Sequence, residues 1–184
     1  MTILRDDLLA GRVVALAGSV QSGPVRELLL ALGADVLELG SPAELDDRQA
    51  ADWVRERASV EALVHDAGGA FGEGGQVALA ATLEAAWSAV AAVANGALIG
   101  SGKPGKIVLI APRAGAGPHA EAARSALENL ARTLSVEWAR YALTATAIWP
   151  GASARAGEIA ELVAFLLSPA GDYYSGCRFE LGRD

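Results

Sequence analysis

Five short and nearly unbroken apolar runs recur along this chain, each followed by a stretch with helical spacing of apolar residues. The runs are Arg12–Gly18, Asp35–Gly40, Val60–Asp66, Lys106–Pro112 and Leu143–Pro150, and a sixth, shorter one is Arg178–Leu181. The helical stretches are Val25–Leu32, Asp47–Arg57, Leu79–Leu98, Ala120–Arg140 and Glu158–Leu167. A strand with one face in water alternates apolar and polar residues. A strand without that alternation has both faces covered, as in a parallel sheet. Strand and helix in turn therefore predict an α/β fold, a doubly wound parallel sheet of about six strands with helices on both faces.

At 184 residues the chain fits one domain, 1–184, without repeat or linker. Such a domain buries about 70% of its unfolded surface and needs no covalent staple. Its net charge of -7 comes without any Lys/Arg cluster, which argues against a nucleic-acid partner. One cysteine, Cys177, excludes an internal disulfide, and two isolated histidines, His65 and His119, are too few for a metal site. The start, MTILRDDLLAGR, lacks the apolar core of a signal peptide. The longest apolar stretch, VALAATLEAAWSAVAAVANGALIG, contains Glu84, Ser88 and Asn95, and reads as a buried or interface helix rather than a membrane span. A cytoplasmic protein is the resulting expectation.

The clearest helix carries one apolar stripe: Ala120, Ala123, Leu127, Leu130, Leu134, Trp138 and Tyr141. Glu128 and Arg132 lie off it and can pair at i, i+4. The stretch AGSVQSGP, Ala17–Pro24, lies between the first strand and the first helix, where a dinucleotide-binding protein carries its phosphate loop. It holds two glycines and ends in proline. Proline is favoured in a first helical turn, and Ser22 offers an N-cap.

From residue 12 onward the chain resembles the short-chain dehydrogenase/reductases, in the manner of 3-oxoacyl-ACP reductase-like proteins. RVVALAGSVQSG with LLLALGADVLEL is similar to their first strand–loop–helix–strand unit. VEALVHDAGG is similar to the strand that ends in an Asn-Asn-Ala-Gly turn, and GKIVLIAPRAG to the strand that ends in the catalytic serine. ARSALENLARTLSVEWARYALTATAIWPG resembles the catalytic helix, the next strand and a Pro-Gly turn, and IAELVAFLLSPAGDYYSGCRFEL the closing helix and strand. The resemblance implies a Rossmann-like sheet. It also implies two losses: one edge strand–helix unit, reduced to SPAELDD, and the substrate lid, reduced to ASARAG.

The functional positions of the family are occupied by other residues. Its Thr-Gly-x-x-x-Gly-x-Gly loop has Ser22 at the middle glycine and Pro24 at the last. Its ribose-binding acid falls on Gly40, with Glu38 two residues earlier. Pro112 stands at the serine position, Ala120 at the tyrosine position and Arg124 at the lysine position. All three tyrosines, Tyr141, Tyr173 and Tyr174, follow the helix, and both lysines, Lys103 and Lys106, precede it, so no Tyr-x-x-x-Lys pair exists. Neither alanine nor proline can transfer a proton.

The resemblance places any remaining cofactor contacts at Gly18, Ser19, Ala67, Gly68, Arg124, Pro150 and Gly151. The expected cofactor is none, or weakly bound NAD(P). Three functions follow. The first is a non-catalytic, oligomer-forming or partner-supporting subunit, as a homo-oligomer or beside an active relative, because the interface elements of the family are kept. The second is an NAD(P)-dependent oxidoreductase with altered residues, using His119 or His65 as the acid. The third is a sensor that binds without turnover. His65 and Asp66 are further expected to pair and hold their turn.

Overall fold

The computed structural model describes residues 5–19, 23–39, 47–57 and 59–182. Six parallel strands form one sheet in the order β2-β1-β3-β4-β5-β6. They are β1 (Val13–Gly18), β2 (Asp35–Glu38), β3 (Ala62–Asp66), β4 (Gly105–Ile110), β5 (Leu143–Pro150) and β6 (Cys177–Leu181). The helices are α1 (Pro24–Ala31), α2 (Asp47–Arg57), a single turn α3 (Gly68–Phe71), α4 (Gln76–Val93), α5 (Ala120–Glu137) and α6 (Ala156–Leu167). The doubly wound parallel sheet expected from the apolar runs is the observed fold.

Successive side chains of a strand point to opposite faces, and here both faces are dry. Val14, Leu16, Val64, Val108, Ile110 and Ile148 pack with α1 and α6. Ala15, Ala17, Leu63, Ile107, Leu109 and Ala147 pack with α2, α4 and α5. That is why the runs read as continuous. The stripe on α5 is the buried side of that helix, with Ala123 and Leu127 fully enclosed. Glu128 and Arg132 pair at 2.7 Å, and Arg178 of β6 joins Glu128 at 3.0 Å.

The element bounds differ from the sequence reading where local chemistry decides. α4 begins at Gln76, three residues before Leu79, and its last turn, Ala94–Leu98, is a π-helix. There Gly96 lies so close to α2 that a Cβ would come within 2.5 Å of the Ala51 carbonyl oxygen. α5 ends at Glu137, and Ala139–Tyr141 is a tight 3-10 turn. α6 begins at Ala156 because Arg155 and Glu158 close a capping box: the Glu158 carboxylate accepts the Arg155 backbone N–H at 2.9 Å. Ser22 lies outside the described residues, and the N-cap of α1 is Gly23 (φ 91°, ψ -163°), which brings no side chain to the helix end. Gly40 also lies outside the described residues, and β2 ends at Glu38, whose carboxylate pairs with Arg26 at 2.9 Å.

Lys106 of β4 is buried beneath the end of α6. Its ammonium donates to the carbonyls of Leu166 at 2.9 Å and Ser168 at 2.6 Å, and pairs with Asp172 at 2.6 Å. A cation there satisfies carbonyls that the helix leaves open and meets the negative end of its dipole. Burial holds the Lys106 pKa below the ordinary lysine range, with Asp172 opposing that shift.

Candidate functional site

From β1 the chain crosses to β2 on one side, and from β2 it returns past β1 to β3 on the other. The carboxyl ends of β1 and β3 therefore part and open a crevice. A cavity of about 380 Å³ lies there, between the first turns of α1 and α6. Its apolar wall includes Val25, Ile110, Ala111, Pro112 and Ile159, and its polar groups come from Ser19, Asp66 and Arg113.

The floor is a tight contact between two turns. Gly18 has φ 74°, and a Cβ on it would lie 2.0 Å from the Asp66 carbonyl oxygen, so only glycine fits. Asp66 then bends back, and its Oδ1 accepts the Gly68 N–H at 2.8 Å. Ser19 Oγ accepts the Gly69 N–H at 3.1 Å. Both N–H groups at the start of α3 are thus directed at side chains of the chain itself. Burial pushes the Asp66 carboxyl above the usual carboxylate range, while the Gly68 N–H, Ser19 and the Arg113 charge oppose that shift.

Arg113 reaches across the cavity mouth, and its Nη1 donates to the Ala154 carbonyl. Arg124 behaves differently. Its side chain is 3% exposed, and Nη1 donates to the carbonyls of Pro112 at 3.0 Å and Pro150 at 2.7 Å. Its Nε lies 3.2 Å from Glu121 Oε1, and its guanidinium stacks 4.7 Å from the Trp149 ring centre. At the lysine position of the resembled family, this cation ties the ends of β4 and β5 to α5.

Ala120 is 4% exposed and sits against Phe71 and Ala123, with Leu79 and Ala116 beside them. The Ala120 methyl group is thus surrounded by hydrocarbon. Pro112 lines the cavity but brings no polar side-chain atom.

Of the residues expected to hold a cofactor, Ser19, Gly68 and Pro150 line the cavity. Gly18, Ala67 and Gly151 serve it through the backbone. Ala67 N–H donates to Ile110 at 2.9 Å and Gly151 N–H to Leu181 at 2.7 Å. Arg124 lies behind the wall. His119 is exposed, with φ 69° at the start of α5, and does not line the cavity. His65 is buried on β3, and neither ring nitrogen has a partner among the described residues. The expected His65–Asp66 pair is not formed, because neighbours on a strand face opposite ways. Burial lowers the His65 pKa to about 4. The sequence reading missed Asp66 and Arg113 as the polar pair of the crevice. The signal was present, since both sit in the two strand-end turns, HDAGG and APRAG.

No protein-family model matches the sequence, and no curated protein matches it. Solved structures do match its fold. A short-chain dehydrogenase from Mycobacterium smegmatis superposes with a TM-score of 0.79 at 22% identity, over 100% of this chain and 97% of that one. A citronellol catabolism dehydrogenase from Pseudomonas aeruginosa gives 0.77 at 23% identity, over 98% and 97%. A chain from Beutenbergia cavernae, classed with NAD(P)-dependent gluconate 5-dehydrogenases and holding NADP at low occupancy, gives 0.71 at 23% identity, over 94% and 95%.

Proposed function

We propose, from the premise that this chain has the fold of the short-chain dehydrogenase/reductases, that it is a non-catalytic form of that fold and acts as an oligomer-forming or partner-supporting subunit. The observation that carries this reading is Ala120. At the position of the proton-transferring phenol stands a buried methyl group enclosed by Phe71 and Ala123. The nearby cation, Arg124, is engaged by two strand-end carbonyls.

The crevice residues do not fit a dinucleotide pyrophosphate. A carboxylate, Asp66, takes the Gly68 N–H that would face a phosphate, and Pro24 removes a further N–H from the first turn of α1. Like charge then opposes the phosphates. The expected result is no binding of NADH or NADPH below about 1 mM by calorimetry, and Asp66→Asn should tighten NADH binding by about tenfold or more. Micromolar binding to the unaltered protein, or carbonyl reduction by it, defeats the proposal.

The partner surface is the outer side of α4. Val77 is 85% exposed and Trp87 47%, with Ala80, Ala81 and Glu84 between them. On the other side of this helix Thr82, Ala86, Ala89 and Val90 are buried against the sheet. A helix apolar on both sides belongs in an interface. Light scattering is expected to give a mass above one chain, falling toward 18.8 kDa in Trp87→Glu. A monomeric unaltered protein in the absence of any partner would leave only the mixed complex.

A second reading rests on Asp66. A carboxyl with a raised pKa in a cavity is a candidate proton donor, and an NAD(P)-dependent oxidoreductase with altered residues would use it there. That reading expects Asp66→Asn to abolish turnover, where the first expects no turnover to lose.

A further inference from the structure

The crevice is a formed pocket. Its volume of about 380 Å³ sits at the low end of ligand sites. It holds one acid and one base. Asp66 and Arg113 line the same cavity, and among the described residues no ion pair joins them within 4.0 Å. Asp66 takes the Gly68 N–H and has Ser19 beside it, Arg113 Nη1 gives to the carbonyls of Ala154 and, at 3.5 Å, Gly151, and the Arg113 charge acts on Asp66 only through space. Among the described residues Nη2 and Nε of Arg113 carry no hydrogen bond. Both groups are half-buried, and among the described residues neither touches a counter-ion, so each can take one from a ligand. Between them the wall is apolar, formed by Val25, Ile110, Ala111 and Ile159.

We infer that this crevice binds a compact zwitterion with an apolar body, its ammonium toward Asp66 and its carboxylate toward Arg113. A free apolar amino acid has this chemistry. An inorganic ion would leave the apolar wall unused, and a ligand of single charge would leave one of the two residues without a counter-ion. This inference rests on the reading that the crevice has lost its dinucleotide site.

The probe is L-phenylalanine, titrated by calorimetry into the full chain beside 2-phenylethylamine, which lacks the carboxylate, and 3-phenylpropanoate, which lacks the ammonium. Phenylalanine is expected to bind at least about tenfold more tightly than either analogue. In Asp66→Asn, phenylalanine and 3-phenylpropanoate should bind alike, because the amine has lost its partner. In Arg113→Gln, phenylalanine and 2-phenylethylamine should bind alike. Circular dichroism establishes that each variant is folded. No phenylalanine binding up to about 10 mM, or equal binding of all three probes to the unaltered chain, overturns the inference. NADH run in the same titration separates the two ideas. Micromolar NADH binding defeats the proposed function. Absent NADH binding together with absent phenylalanine binding defeats only the zwitterion site.

Discussion

Lys106→Met is expected to lower the melting temperature by about 5–10 °C, the effect of about 2–3 kcal/mol in a domain of this size. The methylene stem of lysine is replaced at similar volume, so packing changes little. What is lost is the ammonium that holds the Leu166 and Ser168 carbonyls and Asp172. The Leu166 carbonyl at the end of α6 becomes an unsatisfied acceptor in a dry setting, whereas the Ser168 carbonyl keeps the Gly171 N–H at 3.0 Å. Asp172 is 59% exposed and recovers water, so Asp172→Asn should cost less than about 1 kcal/mol. Thermal unfolding followed by circular dichroism separates the two. A Lys106→Met protein that melts within about 1 °C of the parent would show that the carbonyls find other partners.

The second large effect is acid sensitivity centred on His65. Its pKa is lowered from 6.5 to about 4 by burial. The unfolded chain therefore binds a proton between those values that the folded chain refuses. Stability is full above pH 6.5 and is lost as pH falls toward 4, by about 3 kcal/mol in total. Asp66, next in the chain, works the other way. Its raised pKa means that protonation of the folded state is favoured, which offsets part of the loss at the acid end. His65→Leu should remove the slope between pH 6.5 and 4 and leave a protein at least as stable at pH 7, because two unpartnered ring nitrogens disappear. Urea unfolding at half-unit pH steps measures this. An unchanged slope in His65→Leu would assign the acid loss to other groups.

The fold was legible because apolar runs without alternation have one economical solution, and the buried residues on both sheet faces are that solution. The crevice was less legible than the fold. The sequence reading set Pro112, Ala120 and Arg124 at functional positions of the resembled family, yet nothing in the spacing says where a guanidinium goes. Arg124 turns away from the crevice because two strand-end carbonyls converge on it from residues 112 and 150, far apart in the chain. Asp66 was read as a turn residue beside His65. Its role depends on Gly18, whose missing side chain lets the two turns touch. Helix ends were misplaced for the same kind of reason. The start of α6 is set by the Arg155–Glu158 pair, and Gly23 supplies the N-cap of α1 without a side chain.

The packing around Ala120 also bears on how this chain can be altered. Phe71 is 1% exposed and Ala123 is fully enclosed, so a phenol introduced at residue 120 would meet filled volume, and overpacking of that kind costs about 1–3 kcal/mol. Ala120→Tyr alone therefore lowers stability before it can supply a proton donor. Arg124, with its two carbonyls and its stacked Trp149, adds a second lock on the neighbouring position. The two positions are therefore coupled: a useful change at either one calls for compensating changes in the packing around it.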